Sequence, residues 1–139
     1  MPKRYIHFKL AKLVRDGLPE IFEKLGHTPG LRFLQGDELQ LALQAKIIEE
    51  AKELPLPGSA SKNSELSELG DILQALQDTM AARGFTMEDI EKARLAKYAE
   101  KGGFELGTYV ETVAIPENDE KWLAYYRADP DRFPEVYHT

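Results

Sequence analysis

Lys46-Ile47-Ile48-Glu49-Glu50-Ala51-Lys52-Glu53, a break rich in Pro, Gly and Ser, and then Glu65-Leu66-Ser67-Glu68-Leu69-Gly70-Asp71 is the stretch that decides how this chain is read. Each half carries acidic residues three apart, which places them on one face of a helix, one turn from each other. If the two helices fold back on each other, Glu50, Glu53, Glu68 and Asp71 converge. Four carboxylates in a small space repel one another unless a concentrated positive charge sits among them, and Mg²⁺ is the usual partner of an all-oxygen ligand set. Spacing alone is weak evidence. The sequence holds six acidic pairs of this spacing, against roughly four expected by chance from its acidic content.

Position relative to the apolar face is more informative. At about 100° per residue, Leu39, Leu43, Ile47 and Leu54 form one stripe, Glu50 falls inside it and Glu53 lies on its flank. On the second helix the expected stripe is Leu66, Leu69, Ile72, Leu73, Leu76 and Met80, with Glu65 near its centre and Glu68 and Asp71 further round. A carboxylate on a core-facing stripe costs several kcal/mol unless it is paired or bound to a metal. The competing reading is a solvated helix face with i,i+4 partners such as Lys46–Glu50.

Punctuation sets the other elements. Residues 5–14 alternate partly and read as extended. Pro19 sits in the first turn of a short helix that Asp16 or Gly17 caps and Gly26 ends. Residues 31–34 read as a short strand or connector. The first long helix runs from Asp37, its expected N-cap, to about Leu54, where Pro55 stops it. Asn63 or Ser64 caps the second, which runs to about Arg83 before Gly84. A loop of about nine residues between the two suits antiparallel neighbours. Thr86-Met87-Glu88-Asp89 is a capping box that opens a third long helix, to about Glu100. Residues 104–113 read as a strand or hairpin arm, and 118–128 as a short helix. The chain is expected to divide into a helical domain over 1–113 and a tail over 114–139. The tail holds Trp122, Tyr125, Tyr126, Phe133 and Tyr137, and is expected to pack on the domain or on a second subunit.

Composition excludes several classes. The chain has 139 residues and a net charge of −6, with no basic excess to neutralise a nucleic-acid polymer. It has no cysteine, hence no disulfide, zinc-thiolate or cysteine nucleophile. No apolar run approaches the ~18 residues of a membrane span, and no signal-peptide core is present, so no membrane partner and a cytoplasmic location are expected. A di-iron bundle needs Glu-x-x-His on two helices. Of His7, His27 and His138, the last fits that spacing, at the extreme C-terminus.

A Mg²⁺ cluster on two antiparallel helices suits phosphoryl chemistry. Glu49 is the candidate to take a proton from water or to orient the ligands. Arg94, Lys97 and Lys101 share a helix face and are candidates to bind phosphates, as are Lys12 and Arg15. Plain surface positions and a solvent-facing Glu49 are the alternatives.

Glu49-Glu50-x-x-Glu53 followed by Glu68-x-x-Asp71 is similar to the EExxE…ExxD signature of the all-α nucleoside triphosphate pyrophosphohydrolases, the MazG-like superfamily. Lys12-Leu13-Val14-Arg15-Asp16 with Leu18-Pro19-Glu20-Ile21 resembles the opening of its phosphoribosyl-ATP pyrophosphohydrolase-like branch. Arg94-x-x-Lys97 with Lys101-Gly102-Gly103-Phe104 resembles that branch's close. The resemblance covers about residues 12–107 and implies an all-α antiparallel core, assembled as a homodimer or higher homo-oligomer of the four-helix-bundle type, with short extended segments at both ends. It implies Mg²⁺, with Mn²⁺ as the substitute, held by Glu50, Glu53, Glu68 and Asp71. Glu49, Glu50 and Glu53 would carry catalysis. The reaction implied is hydrolysis of a small-molecule nucleotide, NTP or dNTP, to the monophosphate and pyrophosphate, in the manner of an enzyme that removes non-standard nucleotides. Two alternatives stand beside it: a phosphoribosyl-ATP pyrophosphatase, although Ile72-Leu73 stand where that enzyme commonly has Tyr-His, and a non-catalytic helical module that binds nucleotide or protein.

Overall fold

The computed structural model describes residues 1–137 and 139, so the Glu135/His138 spacing lies outside the described residues. It is all-helical, with five helices and no strand among the described residues. These are α1 (Leu18–Lys24), α2 (Gly36–Glu53), α3 (Lys62–Ala82), α4 (Met87–Lys101) and α5 (Glu120–Arg127). Residues 5–14, 31–34 and 104–113, read above as extended or strand, form no ladder. Partial alternation is not enough, because a strand needs a second strand to satisfy its backbone groups. The chain divides into two compact units, Met1–Glu100 and Lys101–Thr139.

In the first unit α2 and α3 pack on each other, and neither α1 nor α4 packs on them. The pair is antiparallel. Gln40, near the start of α2, donates to the carbonyl of Ala82 at the end of α3, while the acidic ends of the two helices meet at the other end. Local chemistry sets the limits of each helix. Pro19 lies in the first turn of α1, with Gly17 at its N-cap. The N-cap of α2 is Gln35 rather than Asp37, which sits in the first turn, where its charge favours the helix dipole. α3 begins earlier than expected, because the Ser61 hydroxyl rather than Asn63 or Ser64 accepts from a first-turn amide, that of Ser64. α3 stops at Gly84, whose φ of 77° is the left-handed conformation that ends helices. The Thr86/Asp89 box is reciprocal: the Asp89 amide donates to the Thr86 hydroxyl at 3.1 Å, and the Thr86 amide to the Asp89 carboxylate at 2.9 Å.

The faces of α2 and α3 behave differently. On α2 the expected stripe is the packed one: Leu43 is buried, Leu39 and Ile47 are half-buried, and Glu50 is buried among them, although Leu54 is exposed. On α3 the best-covered positions are Ile72, Ala75, Thr79 and Met80, with Glu65, Glu68 and Asp71 half-buried beside them. Leu66, Leu69 and Leu73, expected in the core, stay about half exposed at 55%, 51% and 50%. Nothing lies within 4 Å of where a Cβ on Gly70 would sit, so Gly70 mediates no close approach of the helices.

In the second unit Trp122, Tyr125 and Tyr126 of α5 gather with Phe133. The Asp119 carboxylate caps the helix by accepting from the Trp122 amide. Trp122 and Tyr125 meet edge to face at 5.5 Å, as do Tyr126 and Phe133 at 5.1 Å, and the Arg132 guanidinium lies 4.7 Å from the Phe133 ring. Four of the tail aromatics, Trp122, Tyr125, Tyr126 and Phe133, therefore pack on one another, while Tyr137 is exposed. No helix among the described residues is long and apolar enough to cross a membrane.

Candidate functional site

The antiparallel pairing of α2 with α3 brings the last turns of one helix against the first turns of the other. Glu50 and Glu53, one turn apart on α2, there meet Glu68 of α3. One carboxylate oxygen from each lies within 4.8 Å of the others. The three differ in burial: Glu50 is 8% exposed, Glu68 is half-buried and Glu53 faces solvent. The cluster therefore runs from the helix interface out to the surface.

Two of its oxygens lack a hydrogen-bond donor. Glu50 Oε2 and Glu68 Oε2 are both buried and accept no hydrogen bond. A buried acceptor without a partner costs about 1–3 kcal/mol, and more when it carries charge. The other Glu50 oxygen is held by Lys46, whose Nζ lies 3.1 Å from Oε1. The Lys46–Glu50 ion pair is thus present, yet it belongs to a buried carboxylate rather than to a solvated helix face.

Three cations surround the cluster. Lys46 also lies 3.2 Å from Glu49 Oε2, and Lys12 lies 3.2 Å from Glu49 Oε1. Arg15 Nη2 lies 2.5 Å from Asp71 Oδ1. Lys12 and Arg15 therefore pin the segment before α1 to both long helices, one contact to α2 and one to α3. Glu49 joins the cluster through Lys46, which it shares with Glu50; Asp71, one turn after Glu68 on α3, is paired with Arg15 and is not a member of the cluster.

Electrostatics separate the two neighbours Glu49 and Glu53. The repulsion of Glu50 raises the Glu53 carboxyl above its ordinary value, helped by partial desolvation and by Glu49 and Glu68. Desolvation opposes ionisation of Glu49, but hydrogen bonds from Lys12 and Lys46 outweigh it and hold Glu49 below the ordinary value. Desolvation likewise opposes charge on Lys46, and its bonds to Glu50 and Glu49 overcome it and raise its pKa. Glu53 is therefore the more basic carboxylate and Glu49 the more firmly ionised one.

The α4 cations are placed differently. Arg94 donates to Glu91 on its own helix, at 2.9 Å from Nε and again from Nη2. Lys97 is exposed on the same helix, and Lys101 belongs to the second unit. Because α4 does not pack on α2 or α3, the structure does not bring Arg94 and Lys97 to the carboxylates. Lys46, which the sequence marks as an i,i+4 partner of Glu50 on a solvated face, belongs instead to the site, and that spacing is its signal.

An uncharacterized protein of Mycolicibacterium smegmatis is 49% identical to this chain over 45 residues. The match covers 32% of this chain and 46% of that protein, so the chain spans less than half the length of the curated relative it matches. No family model and no solved structure matches the chain.

Proposed function

We propose that this chain is a divalent-metal-dependent nucleotide pyrophosphohydrolase of the MazG-like type, using Mg²⁺ or Mn²⁺. The observation that carries the proposal is the convergence of Glu50, Glu53 and Glu68, with Glu50 buried and one oxygen each of Glu50 and Glu68 lacking a donor. Hard divalent cations take such all-oxygen sets. Buried carboxylates that repel one another gain most from an ion of that charge. Glu50, Glu53 and Glu68 would hold it; Asp71, the fourth acid of the two motifs, is paired with Arg15 and would become a ligand only where that contact is given up. When bound, the ion supplies charge neutralisation on the phosphate oxygens and a more acidic water.

The chain's own residues account for the remaining roles. Glu53, whose carboxyl is raised by the repulsion of Glu50, is the carboxylate that a bound ion would relieve most, while Glu49, which two lysines hold ionised, stays outside the ligand set as the candidate to orient the ligands or take a proton from water. Glu49 orients Lys12 and Lys46. Lys12 and Arg15, each paired with an acidic residue next to the cluster, would bind polyphosphate oxygens, since a phosphate can replace a carboxylate as partner of either side chain. Arg94 and Lys97 would contribute to phosphate binding by a movement of α4 or from a second subunit, and Lys101 is a further candidate for the same role. Cleavage of the anhydride between the α and β phosphates gives the monophosphate and pyrophosphate, as expected of an enzyme that clears surplus or non-standard nucleotides.

The same reading includes a homodimer. Leu66, Leu69, Leu73 and Leu76 form an exposed apolar ridge on α3, and Leu43 and Ala75 are the buried apolar residues of the helix pair. Two antiparallel helices with so small a core are completed by another pair in a four-helix bundle.

The test is pyrophosphate release from a panel of canonical and modified nucleoside triphosphates and phosphoribosyl-ATP, with Mg²⁺ and with EDTA. Metal-dependent turnover that Glu53→Ala abolishes is the expected result. No turnover on any member of the panel, with no change in melting temperature on adding Mg²⁺, overturns the reading.

A further inference from the structure

The three cations Lys12, Arg15 and Lys46 pair with carboxylates at the edge of the site rather than with its two donor-less oxygens. Each lies at the periphery. Lys12 takes Glu49, Arg15 takes Asp71, and Lys46 spans Glu49 and the Oε1 side of Glu50. None reaches the two buried oxygens without a donor, Glu50 Oε2 and Glu68 Oε2. Five carboxylates that touch one another or these cations thus face three cations, a formal charge of −2. That charge is concentrated on the three clustered glutamates.

We propose that the site holds one resident divalent cation per chain, and that Lys12, Arg15 and Lys46 are built-in counter-ions that set this number. The inference rests on the metal-dependent reading above and fixes a property which that reading leaves open. One divalent ion brings the whole set to neutrality while leaving the three peripheral contacts in place. A second would leave the partly buried group with a charge of +2, which is costly away from bulk water. A second ion then enters only together with an anionic polyphosphate, whose charge offsets it. Arg15 has a particular place in this scheme. Its guanidinium lies on Asp71, the fourth acidic residue of the two motifs, and holds that carboxylate apart from the three-glutamate cluster.

Equilibrium dialysis of the full chain against Mn²⁺ without nucleotide, with electron paramagnetic resonance of the bound ion, counts the ions. One Mn²⁺ per chain with the spectrum of an isolated ion is expected. Arg15→Gln removes a positive charge near the ion and frees Asp71, so Mn²⁺ should bind about tenfold more tightly. The Lys12→Gln/Arg15→Gln double variant should take up a second ion. Both side chains are largely exposed, and circular dichroism verifies that the variants keep their helices. Two ions per parent chain with a spin-coupled spectrum overturn the inference and leave the metal-dependent function standing. So does weaker binding by Arg15→Gln, which would make Arg15 a positioning residue for a ligating Asp71. No bound Mn²⁺ at all overturns both.

Discussion

Lys46 Nζ lies 3.1 Å from Glu50 Oε1, one helical turn earlier on α2, and this lysine is the cation that touches the buried carboxylate of the site. Glu50 is not removable without loss of its chemistry, but the compensation is. Lys46→Met keeps the aliphatic stem and removes the charge, leaving Glu50 buried without a cation. Breaking a largely buried pair from one side is costly, here about 2 kcal/mol given the partial exposure of the lysine. Urea denaturation in EDTA should show that loss. The Lys46→Met/Glu50→Gln double variant should recover part of it, because no buried charge remains.

Glu53 makes the site unstable in the direction of rising pH. Its folded carboxyl is raised, first by Glu50 and then by desolvation and by Glu49 and Glu68. A raised folded value means that the folded chain binds the proton more tightly than the unfolded chain. The resulting stability is present in full below the ordinary glutamate range and is lost as pH rises through the raised value. In EDTA, Glu53→Gln should therefore melt at a higher temperature than the parent at pH 7, and the gain should vanish below the ordinary carboxylate range. With saturating Mg²⁺ the order should reverse, since the parent then gains a bound ion that the variant holds poorly. Melting curves at several pH values, with and without Mg²⁺, check both parts.

Some of this was legible in the sequence and some was not. The α2 stripe was readable because Leu39, Leu43 and Ile47 repeat with the helical period, and Glu50 stood out as a charge inside that stripe. On α3 the stripe is covered only in part within one chain, at Ile72 and Met80. Periodicity finds the side of a helix that avoids water, but not the element that covers it, and the Leu66/Leu69/Leu73 ridge is not the part of α3 covered by α2. The Lys12–Glu49 and Arg15–Asp71 contacts join residues 37 and 56 positions apart, a separation at which no local spacing rule applies. Residues 104–113 read as a strand because alternation describes one strand, whereas a sheet requires a partner; residues 5–14, read as extended, form neither helix nor ladder.

The start of α4 offers a cleaner measurement, because that helix packs on neither long helix and depends on its own cap. Thr86→Ala removes the hydroxyl that accepts from the Asp89 amide, a loss of about 1 kcal/mol at a capping position. Faster amide exchange over residues 87–91, with protection of α2 and α3 unchanged, is the expected pattern. Asp89 adds a pH dependence. Hydrogen bonds from the Thr86 backbone and side chain hold its carboxyl below the ordinary value, so its contribution is present above the ordinary aspartate range and is lost as pH falls through the lowered value. Exchange in this turn of the parent should quicken on acidification.

The exposed ridge of α3 makes the assembly testable without reference to activity. Leu69 and Leu73 lie one turn apart and are about half exposed. On the proposed homodimer they are covered by the second copy. Leu69→Glu/Leu73→Glu places two charges in that interface, where burial without partners costs several kcal/mol, yet the same residues cost little on a solvated helix. The parent should therefore elute as a dimer or larger assembly, and the double variant as a monomer. Light scattering coupled to gel filtration gives the mass, and circular dichroism should show much of the helix retained with a lower melting temperature. A parent that is monomeric at micromolar concentration, melting at the same temperature as the variant, would remove the dimer from the proposal. It would leave the carboxylate cluster untouched, because Glu50, Glu53 and Glu68 all come from a single chain.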